Sequence, residues 1–256
     1  MTGSAMHTRH PNDPNAGRLN ALEAQALALG VDRRLAALFR KKGTIQRLGH
    51  HQPVSVQGRD SYLLVLTGVL AIATALKDGE DQLVGLIFPG DVLASRLVAT
   101  LPKVRAYAMG PTEVVRVLAS DVDGELTDGG VCDVLLTHVE KLWTSAATQA
   151  LIIASLPAQE RVVSLLVRLA LRLGRFSGKS VALTLPMSRS DMASYLALNS
   201  ETLSRTLTRI KLTGLVRLSG RREVSVPDWA ALCEATPLTQ TLVAMDRGRV
   251  PQPTPA

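Results

Sequence analysis

A chain of 256 residues with a 46% hydrophobic share is long enough for one or two domains with their own cores, and a 3% aromatic content makes those cores aliphatic. Two cysteines, Cys132 and Cys233, exclude a disulfide framework and fit a reducing, cytoplasmic compartment, and the start MTGSAMHTRHPNDPNAGRLN has no apolar secretory region. The net charge of +7 rests wholly on residues 157–229, with 12 Lys+Arg against 5 Asp+Glu, the footprint of a nucleic-acid-binding segment or, alternatively, of a surface for an acidic protein.

Residues 1–18 carry Pro, Asn, Gly and His without periodicity and read as a disordered tail. Leu19 to Arg40 reads as one helix, with Leu22, Leu27, Leu29, Leu35, Ala36 and Leu38 apolar. From Gly43 to about Ala119, short apolar runs alternate with turn signals. The runs are Thr44–Leu48, Pro53–Val56, Tyr62–Leu66, Val69–Leu76, Gln82–Ile87 and Val114–Leu118. The breaks are Gly58-Arg59-Asp60, Gly68, Asp78-Gly79 and Pro89-Gly90-Asp91. Asp-Gly between two runs signals a hairpin, and many short strands at this spacing predict a small antiparallel barrel or sandwich. Tyr62 to Leu76 is too short for a membrane span and has Gly68 inside, so it reads as two buried strands around a turn.

Val131 to Leu156 reads as one long helix without proline. Leu135, Val139, Leu142, Ala146, Gln149 and Ile153 recur at near-heptad spacing, and such a seam needs a partner, either a second copy or the chain's own β domain. Pro157-Ala158 reads as a hinge, Glu160–Leu173 as an amphipathic helix and Gly174–Gly178 as a flexible link.

Leu185 to Arg209 reads as two short helices with a tight turn between them. Met192, Leu196, Leu203 and Leu207 form the apolar stripe. Ser188 with Asp191 has the pattern of a capping box, and Asn199 or Ser200 caps the second helix. That helix then shows Ser200, Glu201, Ser204 and Arg205 outward. Arginine forks onto guanine O6 and N7, and glutamate accepts from the cytosine amino group. An ordinary helical hairpin with a solvated face is the alternative. Ile210 to Val226 continues as a helix end at Gly214 and a basic hairpin, with Leu215, Val216 and Leu218 in one strand, Gly220-Arg221 at the turn, and Val224 and Val226 in the other. A helix pair followed by such a hairpin is the layout of a winged helix-turn-helix, with Arg221 and Arg222 near phosphates. Asp228 to Ala235 reads as a short helix.

The segment SRSDMASYLALNSETLSRTLTRIKLTGLV resembles the signature of the CRP/FNR family of bacterial transcription regulators. Glu201-x-x-Ser204-Arg205 is similar to the FNR branch, whereas the CRP branch has an arginine at the place of Ser200 and a glycine at that of Ser204. Ala197 stands where many members have a turn glycine. Gln57-Gly58, Leu66-Thr67-Gly68-Val69, Asp78-Gly79 and Phe88-Pro89-Gly90-Asp91 are similar to the punctuation of the cyclic-nucleotide-binding β-roll. The resemblance implies an α+β chain: a disordered tail over 1–18, a β-roll over 19–130, a dimerisation helix over 131–156, a winged helix-turn-helix over 157–235 and a tail over 236–256. It implies a homodimer through the seam named above, with double-stranded DNA and RNA polymerase as partners. DNA contacts are then expected from Ser188, Arg189, Ser200, Glu201, Thr202, Ser204, Arg205, Arg209, Arg221 and Arg222, on a site of the form TTGAT-N4-ATCAA.

In relatives that bind cyclic AMP, the nucleotide is held by a Gly-Glu pair, an Arg followed by a hydroxyl residue, and two hydroxyls on the dimer helix. The matching positions here are Gly90-Asp91, Arg105-Ala106, and Ala146 and Ala147, so the pocket reads as degenerate and cyclic AMP is not expected. An iron–sulfur cluster needs four thiolates and is excluded by two cysteines. Haem would need His50, His51 or His138, and no cofactor is assigned. No nucleophile elbow, P-loop, His-Glu-x-x-His or Cys-x-x-Cys is present, so no enzyme is expected. The competing reading is an effector sensor that acts through protein partners.

Overall fold

The computed structural model describes residues 14–54, 60–75, 81–99, 103–123 and 130–246, with the backbone alone for 14–20, 97, 99, 123 and 130–132. The helix expected over Leu19–Arg40 is two helices, α1 (Pro14–Ala28) and α2 (Arg33–Lys42). Gly30 at φ 75° ends the first, and Asp32 starts the second by accepting from the Arg34 N–H at 2.8 Å. A glycine stop followed by an aspartate start overrides the continuous apolar spacing.

Among the described residues eight strands follow: β1 (Thr44–Leu48), β2 (Pro53–Val54), β3 (Ser61–Thr67), β4 (Leu70–Ala75), β5 (Asp81–Ile87), β6 (Val92–Ala94), β7 (Val104–Ala108) and β8 (Thr112–Leu118). They form two antiparallel sheets, ordered β1-β8-β3-β6 and β2-β7-β4-β5. The apolar run Tyr62–Leu76 is two strands, as expected, but the strands enter different sheets. Gly68 at φ 75° makes the crossing, and a Cβ there would lie 2.3 Å from the Thr112 hydroxyl oxygen. β3 is apolar at nearly every residue because both its faces are covered. Leu63 and Val65 point between the sheets, while Leu64 and Leu66 point at α1 and α2. β4 and β5 pair on either side of Asp78-Gly79, which lies outside the described residues, as do Gly58 and Arg59. β6 and β7 were not expected from the sequence. Two short helices, α3 (Ser95–Ala99) and α4 (Ala119–Asp123), complete this part.

The long helix α5 (Gly130–Ser155) leads through Pro157 into α6 (Ala158–Leu173). After it come β9 (Arg175–Ser177), β10 (Ser180–Thr184), α7 (Arg189–Tyr195), α8 (Ser200–Leu212), β11 (Arg217–Ser219), β12 (Glu223–Val226), α9 (Trp229–Glu234) and α10 (Thr239–Met245). The expected flexible link at 174–178 is therefore the first strand of a hairpin. That hairpin joins the basic one in a four-stranded sheet, β11-β12-β10-β9. The wing strand begins at Arg217, with Val216 buried as its lead-in. α10 falls within the stretch expected as a tail; the remainder of that stretch and residues 1–13 lie outside the described residues. Val69, Leu83, Leu86 and Phe88 on the outer face of the second sheet share one core with α6, α7 and α8, so the winged unit rests on the β-roll.

Three of the six residues expected in the α5 seam face the chain itself. Leu135 is buried against α1 and α2, Leu142 packs on the inter-sheet core, and Gln149 is buried with its amide donating to the Tyr195 carbonyl at 2.7 Å. Those three serve the chain itself. Val139 and Ala146 are exposed and Ile153 is half-buried. Leu136 (54% exposed), Trp143 (75%) and Ala150 stand beside them, so the outward stripe reads Leu136, Val139, Trp143, Ala146, Ala150, Ile153. Half of the expected positions shift by one residue. Periodicity on a helix with two apolar flanks does not say which flank faces home. No helix among the described residues is long and apolar enough to cross a membrane.

Candidate nucleic-acid interface

α7 begins with a complete capping box. The Ser188 hydroxyl accepts from the Asp191 N–H at 3.1 Å, and the Asp191 carboxylate accepts from the Ser188 N–H at 2.8 Å. Its buried side carries Met192, Ala193 and Tyr195. The helix ends in a Schellman arrangement, with Leu198 N–H on the Ala193 carbonyl and Ala197 N–H on the Ser194 carbonyl. Ala197 takes φ 51°, so the turn has left-handed geometry without a glycine. An alanine there costs about 1–2 kcal/mol. Ala197→Gly recovers that strain less about 0.4–1 kcal/mol for the freer unfolded chain. A gain of about 0.5–1 kcal/mol in urea unfolding is expected; a loss would mean that the alanine is relaxed.

Asn199 caps α8, its side chain accepting from the Thr202 N–H at 2.7 Å. Leu203, Thr206, Leu207 and Ile210 face the core. Ser200, Glu201, Ser204, Arg205 and Arg209 are exposed on the other side, and Thr202 is half-buried. Arg205 forms an ion pair with Glu201 one turn back. This exposed pair adds little stability, but it holds a guanidinium fork and a carboxylate side by side along the outer face. Arg221 and Arg222 are exposed at the wing turn, where Gly220 has φ 60°. Ser188 is half-buried. Arg189 is half-buried too, 3.5 Å from the Met192 sulfur, and burial lowers its pKa from the ordinary arginine value. The α8 residues and the wing arginines are thus open to solvent, whereas Arg189 is partly covered.

The degenerate effector positions are occupied by internal partners. Gly90 has φ 80°, and Asp91 accepts from the Phe88 N–H at 2.9 Å and pairs with Arg172 at 2.9 Å. Arg105 pairs with Asp81 and lies 5.9 Å from the Tyr107 ring centroid. Ala106 is buried in its strand, and Ala146 and Ala147 are exposed. His50 is hydrogen-bonded to the Met109 carbonyl at 2.8 Å, and His51 stacks on Tyr107. His138 is buried on α5, beside a cleft of about 550 Å³ between α5, α6, α10 and the β5–β6 turn. Burial, with Glu234 beside it, pushes the Cys233 thiol up to about 11, so it is not a thiolate near neutral pH. The side chain of Cys132 is outside those described. Among the described residues no group of three or more His, Cys, Asp or Glu is set to hold a metal.

The sequence reading missed Arg168 and Arg172. They lie one turn apart on α6, above the Phe88 ring, with centroid distances of 5.4 and 4.9 Å. Arg168 donates to the buried Tyr195 hydroxyl at 2.6 Å and to Ser145. Burial works against the Arg172 charge, but Asp91 and Asp246 outweigh it and hold the guanidinium above its ordinary pKa. The available signal was two arginines at i, i+4 inside an otherwise apolar helix.

A Crp-like helix-turn-helix domain model matches residues 160–235, the span from α6 through α9. The nitrogen fixation regulation protein FixK of Azorhizobium caulinodans is 32% identical over 183 residues, covering 69% of this chain and 71% of that protein. The transcriptional activator protein FnrL of Cereibacter sphaeroides is 29% identical over 183 residues, covering 66% and 70%. The structure of FixK2 from Bradyrhizobium japonicum superposes with a TM-score of 0.65 at 26% identity, covering 76% of this chain and 97% of that one. With a β-roll, a long helix and a winged helix-turn-helix in that order, and with these relatives, the chain belongs to the CRP/FNR family of DNA-binding transcription regulators.

Proposed function

We propose that the protein is a homodimeric, cytoplasmic regulator that binds an inverted repeat of the form TTGAT-N4-ATCAA and does so without cyclic AMP. The observation that carries this reading is the outer face of α8, where Glu201 and Arg205 stand paired beside Ser200 and Ser204. The Arg205 fork reads guanine, Glu201 accepts from cytosine, and Ser204 meets a thymine. Ser188, Arg221 and Arg222 hold phosphates, which position the helix without reading sequence. Arg189, Thr202 and Arg209 flank that face. Dimerisation runs through the outward stripe Leu136, Val139, Trp143, Ala146, Ala150 and Ile153. Independence from cyclic AMP is supported by Asp91 and Arg105, whose charges are already paired within the chain. The DNA-binding unit spans 157–246, because α10 packs on α6. Relatives including FnrL carry "activator" in their names, which supports activation of transcription through RNA polymerase.

The test is a fluorescence-anisotropy titration against random duplex at two salt concentrations. A regulator binds, and binds more weakly at higher salt. Arg221→Ala is expected to weaken all sequences alike and to lower the salt slope by about one per subunit. No binding at low salt, or a slope unchanged by Arg221→Ala, would contradict the assignment.

A further inference from the structure

The winged unit is fastened to the β-roll at two places. At the first, the Ser194 hydroxyl of α7 donates to the Asp81 carbonyl at 2.9 Å and accepts from the Leu83 N–H at 3.0 Å, and the Gln82 amide donates to the Ser194 carbonyl. Helix α7 therefore caps the exposed edge of β5, the outermost strand of its sheet. At the second, Arg172 of α6 donates to the Pro89 carbonyl at 3.1 Å and pairs with Asp91 at 2.9 Å and with Asp246 at 2.7 Å. The side chains of Arg172 and Asp246 are 9% and 5% exposed, so this pairing is inside the molecule.

Asp246 closes α10, a helix beyond residue 235, where the match to the family's helix-turn-helix ends. Its Leu242 is fully buried, and its Met245 sulfur accepts from the Thr148 hydroxyl of α5 at 3.2 Å. α10 thus touches both helices that flank the hinge at Pro157, and it forms one wall of the cleft beside the β5–β6 turn. Asp91 alone would neutralise Arg172. The second carboxylate adds a tie from α10 to the arginine that already grips the Phe88–Asp91 turn.

In helix-turn-helix docking, the first helix of the pair crosses the phosphate backbone. Here that helix, α7, is held on β5 by Ser194, and Arg189 near its start is partly covered. We propose that α10 is a clasp acting in cis: with Asp246 as its anchor on Arg172, it holds the winged unit down on the β-roll in an arrangement that restrains DNA binding, and its release raises DNA affinity. The restraint rests on the DNA-binding reading above, whereas the clasp itself is testable without DNA.

Two substitutions in the full-length protein test it. Asp246→Asn removes the charge at constant size, and Leu242→Ala loosens the seat of α10. Hydrogen–deuterium exchange is followed at residues 81–91 and 189–196, with 61–67 and 203–210 as internal references. Exchange at the first two segments is expected to rise roughly tenfold while the references stay constant, the pattern of local opening. In anisotropy titrations on random duplex, both variants are expected to bind roughly three- to tenfold more tightly than the parent, as a shifted closed–open equilibrium requires. Unchanged exchange at 81–91 in both variants would overturn the clasp. Raised exchange with equal or weaker DNA binding would overturn the restraint. Raised exchange with no DNA binding by parent or variants would support the clasp and sink the reading of the helix pair.

Discussion

Trp143→Asp is expected to convert the proposed dimer to a monomer while each chain stays folded. Trp143 is 75% exposed on α5, in the middle of the outward apolar stripe. In the proposed dimer that position meets its own copy around the two-fold axis, so the variant would place two carboxylates face to face in a desolvated seam. Uncompensated buried charge costs about 3–5 kcal/mol, which weakens association by roughly two to four orders of magnitude. Sedimentation velocity reads the change directly. DNA affinity is expected to fall by roughly a hundredfold or more, because the second half-site is no longer tethered. Leu142→Asp provides the contrast. Leu142 packs on the chain's own inter-sheet core, so a charge there damages the fold and lowers the thermal transition. A Trp143→Asp protein that sediments as a dimer and binds DNA like the parent would place the interface elsewhere.

Arg205→Ala is expected to cost about 1–3 kcal/mol on the preferred site, roughly 5- to 150-fold in affinity, and to relax the choice at one base pair per half-site. The guanidinium is exposed and its partner Glu201 lies on the same helix face, so removing it costs the fold little. The loss is thus separable from unfolding, and circular dichroism is expected to be unchanged. Arg205→Lys sharpens the result. It keeps the charge but not the planar fork, so the salt slope is retained while the guanine preference falls. Equal losses on preferred and random duplex for Arg205→Ala would mean that the residue holds a phosphate and reads no base.

The parts of the fold legible in the sequence were those set by local chemistry. Ser188 with Asp191 closes a capping box, Asn199 caps α8, and Gly68 splits an apolar run into two strands, all as their residue types require. Elements whose signal is short or shared were not legible. β6 and β7 have three and five residues, and β9 was hidden by the glycines around it. Spacing on α5 did not separate its two flanks, because Leu135, Leu142 and Gln149 have the same spacing as the outward stripe but face inward. The exposed α8 face needed only the burial of Leu203 and Leu207 to be read. The Arg172, Asp91 and Asp246 cluster joins residues 74 to 155 positions apart, and no local pattern announces such a meeting.

In the proposed complex, α8 presents Glu201, Ser204 and Arg205 to a symmetric pair of half-sites. Sequencing the DNA that the purified protein selects from a random pool tests it most directly. Recognition helices in a two-fold dimer lie roughly 34 Å apart, one turn of the duplex, so an inverted repeat is expected. Ala197 adopts the left-handed geometry that a glycine would supply, so the turn between α7 and α8 is built without one. In the proposed complex Arg205 and Glu201 set the G·C pair, Ser204 favours a thymine, and Ser200 leaves out a second guanine contact. Enrichment of TTGAT-N4-ATCAA is expected. Enrichment of TGTGA half-sites, of direct repeats, or of no sequence at all would contradict it.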